Sequence, residues 1–148
     1  VMNHFDVLRQ SITEHDGAIV NTIGNAVMAV FRSAADAVSA MLSAQRQLAD
    51  PPAGTMPLTL EAGMHTGPCI AVTLNDRLDY FGSTVNMAAR LEGLSSGEDV
   101  IISRAVHDDT RVRNLIESEG LSAVEFDMAL KGFDEERFQL WRVSAKHQ

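Results

Sequence analysis

Apolar residues recur at helical spacing in the first fifth of the chain. They predict an amphipathic helix over residues 1–15, with Val1, Phe5, Leu8 and Ile12 on its apolar side. A second helix is predicted to start at Ser33 and Asp36, which resemble a capping box. The apolar residues that follow at helical spacing are Ala34, Ala37, Val38, Met41, Ala44 and Leu48.

Short apolar runs predict strands elsewhere. Residues 18–23 and 26–31 flank Gly24 and Asn25, a pair suited to a tight β-hairpin turn. Alternation from Leu58 to Met64 predicts a half-buried strand. Further along the chain we expect a strand at "CIAVT", a polar loop at "LNDRLDYFG", a helix over about 84–94 capped by Ser83, a strand at "DVIIS", a short helix near 104–109, and strands from about 121.

This order of elements predicts an α+β fold with a mainly antiparallel sheet and helices on one face. A ferredoxin-like βαββαβ core would fit if one further strand preceded residue 1. That strand would be central, and a sheet without it would leave backbone groups unpaired. We therefore expect residues 1–148 to be a single domain that lacks its N-terminal first strand.

Composition excludes several classes of function. The 148 residues are 45% hydrophobic and 22% charged, as in an ordinary globular domain. A net charge of −8 disfavours a nucleic-acid polymer or an anionic membrane as partner. Cys69 is the single cysteine, so no internal disulfide or thiolate metal cluster is expected, which indicates a reducing compartment. No apolar run has the length of a membrane span.

Asn86 and Arg90 are four residues apart on the predicted third helix, among apolar neighbours, and therefore share a face. Such a polar stripe is either the solvent side of the helix or a site where an amide and a guanidinium meet a phosphate or a sugar. Spacing alone favours the solvent side. His65, at the end of a predicted strand, is assigned no role.

Three other polar residues have equally ordinary interpretations. Asp79 is a loop carboxylate or a partner of Arg77, Lys131 lies at a turn, and Asn25 suits a hairpin tip. No nucleotide-binding or hydrolase motif of the common types is present. These patterns alone predict an α+β domain without a stated function.

Three segments taken together resemble the class III nucleotidyl cyclase catalytic domain, the adenylate and guanylate cyclase family. They are "HDGAIVNTIGNAVMAVF", "DYFGSTVNMAARLE" and "LKGF". The resemblance implies a ferredoxin-like core, a head-to-tail dimer with its site between subunits, and two Mg²⁺ or Mn²⁺ ions held by aspartates. It also implies a reaction in which the ribose 3′-oxygen attacks the α-phosphate and pyrophosphate leaves. A cytoplasmic location is expected.

The resemblance assigns a role to individual positions. Asn86 matches the asparagine that orients the ribose, Arg90 the arginine that stabilises charge on the α-phosphate, and Lys131 the lysine that binds the triphosphate. Asp79 matches the aspartate that reads adenine, so ATP is favoured over GTP as the substrate. Cyclic AMP and pyrophosphate are the expected products.

Two positions depart from the family pattern. Asn25 stands where a metal-binding aspartate is expected, and Asn21 stands where a purine-reading lysine is expected. Residues 1–20 do not resemble the segment that carries the first metal aspartate. Because Mg²⁺ depends on anionic oxygen, we expect a homodimer to be weak or inactive and a heterodimer to be more competent. The alternative hypothesis is a non-catalytic regulatory or nucleotide-binding module that acts through dimerisation.

Overall fold

The computed structural model describes residues 4–23, 26–49, 60–66, 70–74, 77–81, 83–130 and 136–145. Thirteen elements lie within these ranges. In chain order they are α1 (His4–Glu14), β1 (Gly17–Ile23), β2 (Ala26–Phe31), α2 (Ala34–Ala49), β3 (Ala62–Met64), β4 (Ile70–Leu74), β5 (Arg77–Phe81), α3 (Ser83–Glu92), β6 (Val100–Ser103), α4 (Arg104–His107), α5 (Thr110–Ser118), β7 (Ser122–Ala129) and β8 (Arg137–Ser144). No helix among the described residues is long and apolar enough to cross a membrane.

The largest sheet has four strands in the order β3–β6–β8–β7. The β3–β6 pair is parallel, while β6–β8 and β7–β8 are antiparallel. The hairpins β1–β2 and β4–β5 each form a separate two-stranded antiparallel sheet. The prediction of an α+β fold with mainly antiparallel pairing is confirmed.

Helices cover both faces of the four-stranded sheet, so the expectation of helices on one face is wrong. Ile101 and Leu140 pack with α3 on one face. Their chain neighbours on β6 and β8 point the other way and pack with α2, α4 and α5. The physical reason is that all four residues of β6 are buried, which requires an apolar layer on each side.

The third helix is seated closely on the sheet. Met87 and Leu91, four residues apart, are 5% and 0% exposed and form its buried face. Gly63 on β3 lies directly beneath the end of this helix, where a β-carbon would meet the Leu91 β-carbon at 2.7 Å and the Glu92 backbone nitrogen more closely still. The absence of a side chain at position 63 therefore sets how closely α3 approaches β3.

Most predicted elements are confirmed, and two differ. The segment predicted as a polar loop, "LNDRLDYFG", contains β5, which pairs with β4 from Leu74↔Arg77 to Ile70↔Phe81. A second difference is α5, which the sequence analysis did not predict. Its first turn is capped by the Asp109 carboxylate, which accepts hydrogen bonds from the backbone of Arg111 and Val112.

Trp141, the single tryptophan of the chain, lies on the face of the sheet away from α3. It is 8% exposed, and its ring stacks on that of His107 with centroids 3.8 Å apart. His107 is the last residue of α4, so this stack joins α4 to β8.

Candidate functional site

Asn86 and Arg90 lie on an exposed side of α3, about 100° around the helix axis from the residues that are buried on the sheet. Both are exposed, whereas Met87 and Leu91 beside them are buried. The spacing of four residues puts the amide and the guanidinium on one side of the helix. The structure thus leaves both side chains free of the protein core and accessible to a ligand or to a second chain.

The strand that contains Asp79 lies beside the strand that contains Asn21 and also contacts this helix. Asp79 is in β5, whose backbone pairs it with Val72. Strand β5 contacts both β1, which contains Asn21, and α3. The structure therefore brings together the backbones of three predicted site segments, while the side chains of Asn21 and Asp79 are outside its description.

Asp79 lies in a strand rather than in the loop that the sequence predicted. Leu78 and Tyr80 alternate with Arg77 and Asp79, so the segment has the period of a strand despite its polarity. Asn25 and Lys131 lie outside the described residues. Their predicted roles stay predictions.

An ion pair between a buried carboxylate and a half-exposed guanidinium lies just beyond the end of α3, and no local sequence pattern predicted it. Arg142 Nη1 on β8 donates to Asp99 Oδ2 at 2.7 Å and to the Leu94 carbonyl at 3.3 Å. Leu94 is two residues beyond Glu92, the last residue of α3, and Asp99 directly precedes β6. One guanidinium therefore links β8, the start of β6 and the exit of α3.

The Asp99 carboxylate is held by further hydrogen bonds. Its oxygens accept from the Ser96 backbone nitrogen at 3.0 Å and from the Ser96 hydroxyl at 2.7 Å. Burial by itself would raise the pKa of Asp99, but the hydrogen bonds from Arg142 and Ser96 outweigh it and hold that pKa below its ordinary value. Asp99 is therefore ionised at neutral pH and pairs with Arg142 as an anion.

His65 follows β3 and contacts the end of β6. Its ring nitrogen Nδ1 lies 2.7 Å from the Ser103 hydroxyl. The side chain is half-buried, and this desolvation lowers the pKa of His65. The sequence assigned His65 no role, and the structure gives it one: it fastens the carboxyl ends of two parallel strands.

A Mg²⁺ or Mn²⁺ ion needs several oxygen ligands close together, carboxylates above all. No group of three or more His, Cys, Asp or Glu side chains within the described ranges could hold a metal ion. At the hairpin position that the resemblance predicts to carry a metal-binding carboxylate, this chain has the amide of Asn25. A neutral amide oxygen is a poor replacement for a carboxylate at a Mg²⁺ site. The residues described do not fit a complete metal site.

Comparison with known proteins gives one family. Residues 1–140 match the model of the adenylate and guanylate cyclase catalytic domain. An uncharacterized protein of Mycobacterium tuberculosis is 35% identical over 108 residues, which are 71% of this chain and 34% of that protein. Adenylate cyclase 1 of Rhizobium meliloti is 31% identical over 121 residues, which cover 70% of this chain and 18% of that protein. The matched region thus spans only about a third of the mycobacterial protein.

Solved structures share the fold at low sequence identity. An adenylate cyclase domain from Trypanosoma brucei, determined in a monomeric state, superposes with a TM-score of 0.81 over 98% of this chain and 79% of that chain, at 21% identity. The guanylate cyclase domain of a protein from Catenaria anguillulae, in complex with GTP, superposes with a TM-score of 0.76 over 97% of this chain and 81% of that chain, also at 21% identity.

Proposed function

This chain belongs to the adenylate and guanylate cyclase catalytic domain family, and from that premise we propose that it forms the sugar- and phosphate-binding half of a dimeric cyclase site. The observation that carries the proposal is the exposed pair Asn86 and Arg90 on one face of α3. An amide and a permanently charged guanidinium suit a ribose and a phosphate.

The proposed substrate is ATP, which is converted to cyclic AMP and pyrophosphate. Asn86 orients the ribose, so that its 3′-oxygen is aligned with the α-phosphorus. Arg90 stabilises the negative charge that develops on the phosphate oxygens as the new bond forms. Lys131 binds the triphosphate, and the Asp79 carboxylate accepts a hydrogen bond from the adenine amine. The last assignment favours ATP over GTP.

The metal carboxylate that Asn25 does not supply would come from another chain. This chain offers Asn25 at the hairpin, and an amide does not supply the negative charge that a hard dication needs. Weak or absent turnover is therefore expected for a homodimer. A heterodimer whose partner contributes both aspartates would combine them with Asn86 and Arg90 of this chain.

The amide of Asn25, at the position where a metal carboxylate is expected, also favours a second candidate function. A domain that retains the groups for sugar and phosphate but lacks a metal carboxylate can bind a nucleotide without converting it. In that case the chain is a regulatory module that acts on a partner cyclase through the dimer interface.

The test is an assay of cyclic AMP with ATP and Mn²⁺. The chain is assayed alone, and then mixed with a cyclase domain that carries both metal aspartates but has alanine in place of its own transition-state arginine. The proposal expects little product from either chain alone and restored product from the mixture. Replacing Arg90 by alanine should abolish the restored activity, while Arg113→Ala serves as a surface control.

The other outcomes separate the alternatives. ATP binding without metal and no product from any mixture would support the regulatory module. Turnover by this chain alone at the level of an ordinary cyclase, lost in Arg90→Ala, would show that Asn25 does not limit the site. Absence of nucleotide binding with and without metal would refute both functions.

A further inference from the structure

The position of α3 on the sheet is fixed by two different kinds of contact. Its buried face packs through Met87 and Leu91, and such apolar contacts are non-directional. They hold the helix on the sheet but do not define where it stands along its own axis. A directional contact is needed to fix that axial position.

Two directional contacts lie at the end of the helix that is nearer to Arg90. The first is steric: the backbone of Leu91 and Glu92 rests on Gly63. The second is polar: Arg142 Nη1 donates to the carbonyl of Leu94, which directly continues the last turn. Leu94 is itself tied to the helix, because its backbone nitrogen donates to the Leu91 carbonyl at 3.0 Å.

The polar contact is held in place by its own partners. The Asp99 side chain is 7% exposed, and the Arg142 guanidinium that pairs with it also lies over the Phe126 ring, 5.4 Å from its centroid. The backbone of Asp99 is fixed as well, since its carbonyl accepts from the Gln45 amide at 2.6 Å and from the Ser95 hydroxyl at 2.9 Å. The guanidinium thus meets Leu94 from a fixed direction.

A plain stabilising role is the simpler interpretation of this pair. However, the net stability from this pair is small, because water screens the half-exposed Arg142 and desolvation of the buried Asp99 opposes the attraction. What such a pair provides is geometry. Here the geometry is that of the helix that carries Asn86 and Arg90.

We propose that Arg142 and Asp99 are positioning residues, which fix the axial position of α3 and thereby the point at which Arg90 meets a nucleotide phosphate. The role of Arg90 in this statement rests on the proposed function. The effect on α3 does not, and it can be measured without any nucleotide.

The first measurement is amide hydrogen exchange of the whole chain without ligand, before and after Arg142→Gln. Loosening of α3 should speed exchange at the amides of residues 88–92 about tenfold, while amides of β6 at 101–103 change less than about twofold. Arg113→Gln is the matched control, because it removes an exposed pair with Asp108 that does not contact α3. A uniform change in both segments would mean general destabilisation and would overturn the proposal.

Arg142→Gln leaves the Asp99 charge buried without its partner, which can unfold the chain. A second variant avoids this problem. Arg142→Gln combined with Asp99→Asn removes both charges and keeps polar groups at both positions. The same selective exchange at residues 88–92 is expected from it, and unchanged exchange there would overturn the proposal.

The second measurement is a double-mutant cycle with Arg90→Ala, read by metal-free ATP binding in a calorimeter. Removal of the Arg142–Asp99 pair should weaken ATP binding roughly threefold when Arg90 is present. The same change should weaken it by less than about 1.5-fold when residue 90 is alanine. Equal weakening in both backgrounds would overturn the proposal, since it would show that the Arg142–Asp99 pair does not act through Arg90. If the unaltered chain binds no ATP, the proposed function fails, and hydrogen exchange alone decides the positioning role.

Discussion

Gly63 on β3 lies so close to the backbone of Leu91 on α3 that no room remains for a β-carbon at position 63. A β-carbon at position 63 would lie 2.7 Å from the Leu91 β-carbon, inside the distance at which two carbons can rest. Since Leu91 is fully buried beneath the helix that presents Asn86 and Arg90, position 63 controls the height of the candidate site above the sheet.

Replacing Gly63 by alanine should therefore destabilise the chain and displace α3. Backbone atoms cannot move aside as a flexible side chain can, and an added methyl in a packed interior costs about 1–3 kcal/mol. We expect the free energy of unfolding in urea to fall by that amount. Nucleotide binding should weaken in the fraction that remains folded.

Gly93 provides the matched control for this substitution. Among the described residues, a β-carbon there would meet only the Arg90 carbonyl oxygen, at 3.5 Å, which is ordinary contact. Gly93→Ala should change the free energy of unfolding by less than about 0.5 kcal/mol. Similar losses in both variants would show that the close approach at Gly63 is not the cause.

Asn86→Ala and Arg90→Ala should separate function from stability. Both side chains are exposed, so their loss should alter the free energy of unfolding by no more than about 0.5 kcal/mol. If Arg90 meets a phosphate, loss of that charged hydrogen bond should weaken ATP binding about tenfold. Calorimetric titration and thermal unfolding measured together check this. Unchanged ATP affinity in both variants would show that α3 takes no part in nucleotide binding.

Asn25→Asp should restore a negatively charged oxygen at the hairpin. A carboxylate is a far better ligand than an amide for Mg²⁺ or Mn²⁺. ATP binding in the presence of Mn²⁺ should strengthen by roughly tenfold over the original chain, with no change when metal is withheld. Asn25→Ser is the neutral control. A gain that is equal with and without Mn²⁺ would mean that the new charge does not act through a cation.

His65 should make stability depend on pH near neutrality. Its pKa is lowered in the folded chain by burial, relative to the ordinary value of 6.5. The unfolded chain therefore binds the proton more readily, so stability is full above about pH 6.5 and falls as the pH decreases through the folded pKa. Unfolding in urea at a series of pH values should show this slope, and His65→Gln should reduce it.

Ser103→Ala is the companion variant. It removes the hydroxyl that lies 2.7 Å from His65 Nδ1 but leaves the imidazole buried. Because burial is the cause of the pKa shift, the slope should survive in this variant while overall stability falls. A slope that disappears in Ser103→Ala but persists in His65→Gln would contradict this account.

The helical part of the site could be predicted because local pattern and tertiary packing agree there. A helix over about 84–94 was predicted after Ser83, and α3 spans Ser83–Glu92 with Met87 and Leu91 buried. A spacing of four residues placed Asn86 and Arg90 on one side. Their roles came from the resemblance of the surrounding segment to a family, since helical spacing alone favoured a solvent face.

The parts that were missed depend on partners distant in the sequence. Strand β5 is polar enough to look like a loop, and its pairing with β4 makes it a strand. Arg142 and Asp99 are 43 positions apart, so no local pattern links them. The short helix α5 was missed for another reason: its apolar positions are few, so the helical period is weak, and the Asp109 cap stabilises its start.

Trp141, stacked on His107, gives a fluorescence signal from the face of the sheet that is turned away from α3. Because the chain has one tryptophan, its tryptophan fluorescence reports on that face of the sheet alone. A nucleotide at Arg90 does not absorb the light that the indole emits, so it would leave that emission unchanged unless the intervening strands shifted. Any change in emission on titration would therefore measure how rigidly the two layers move together.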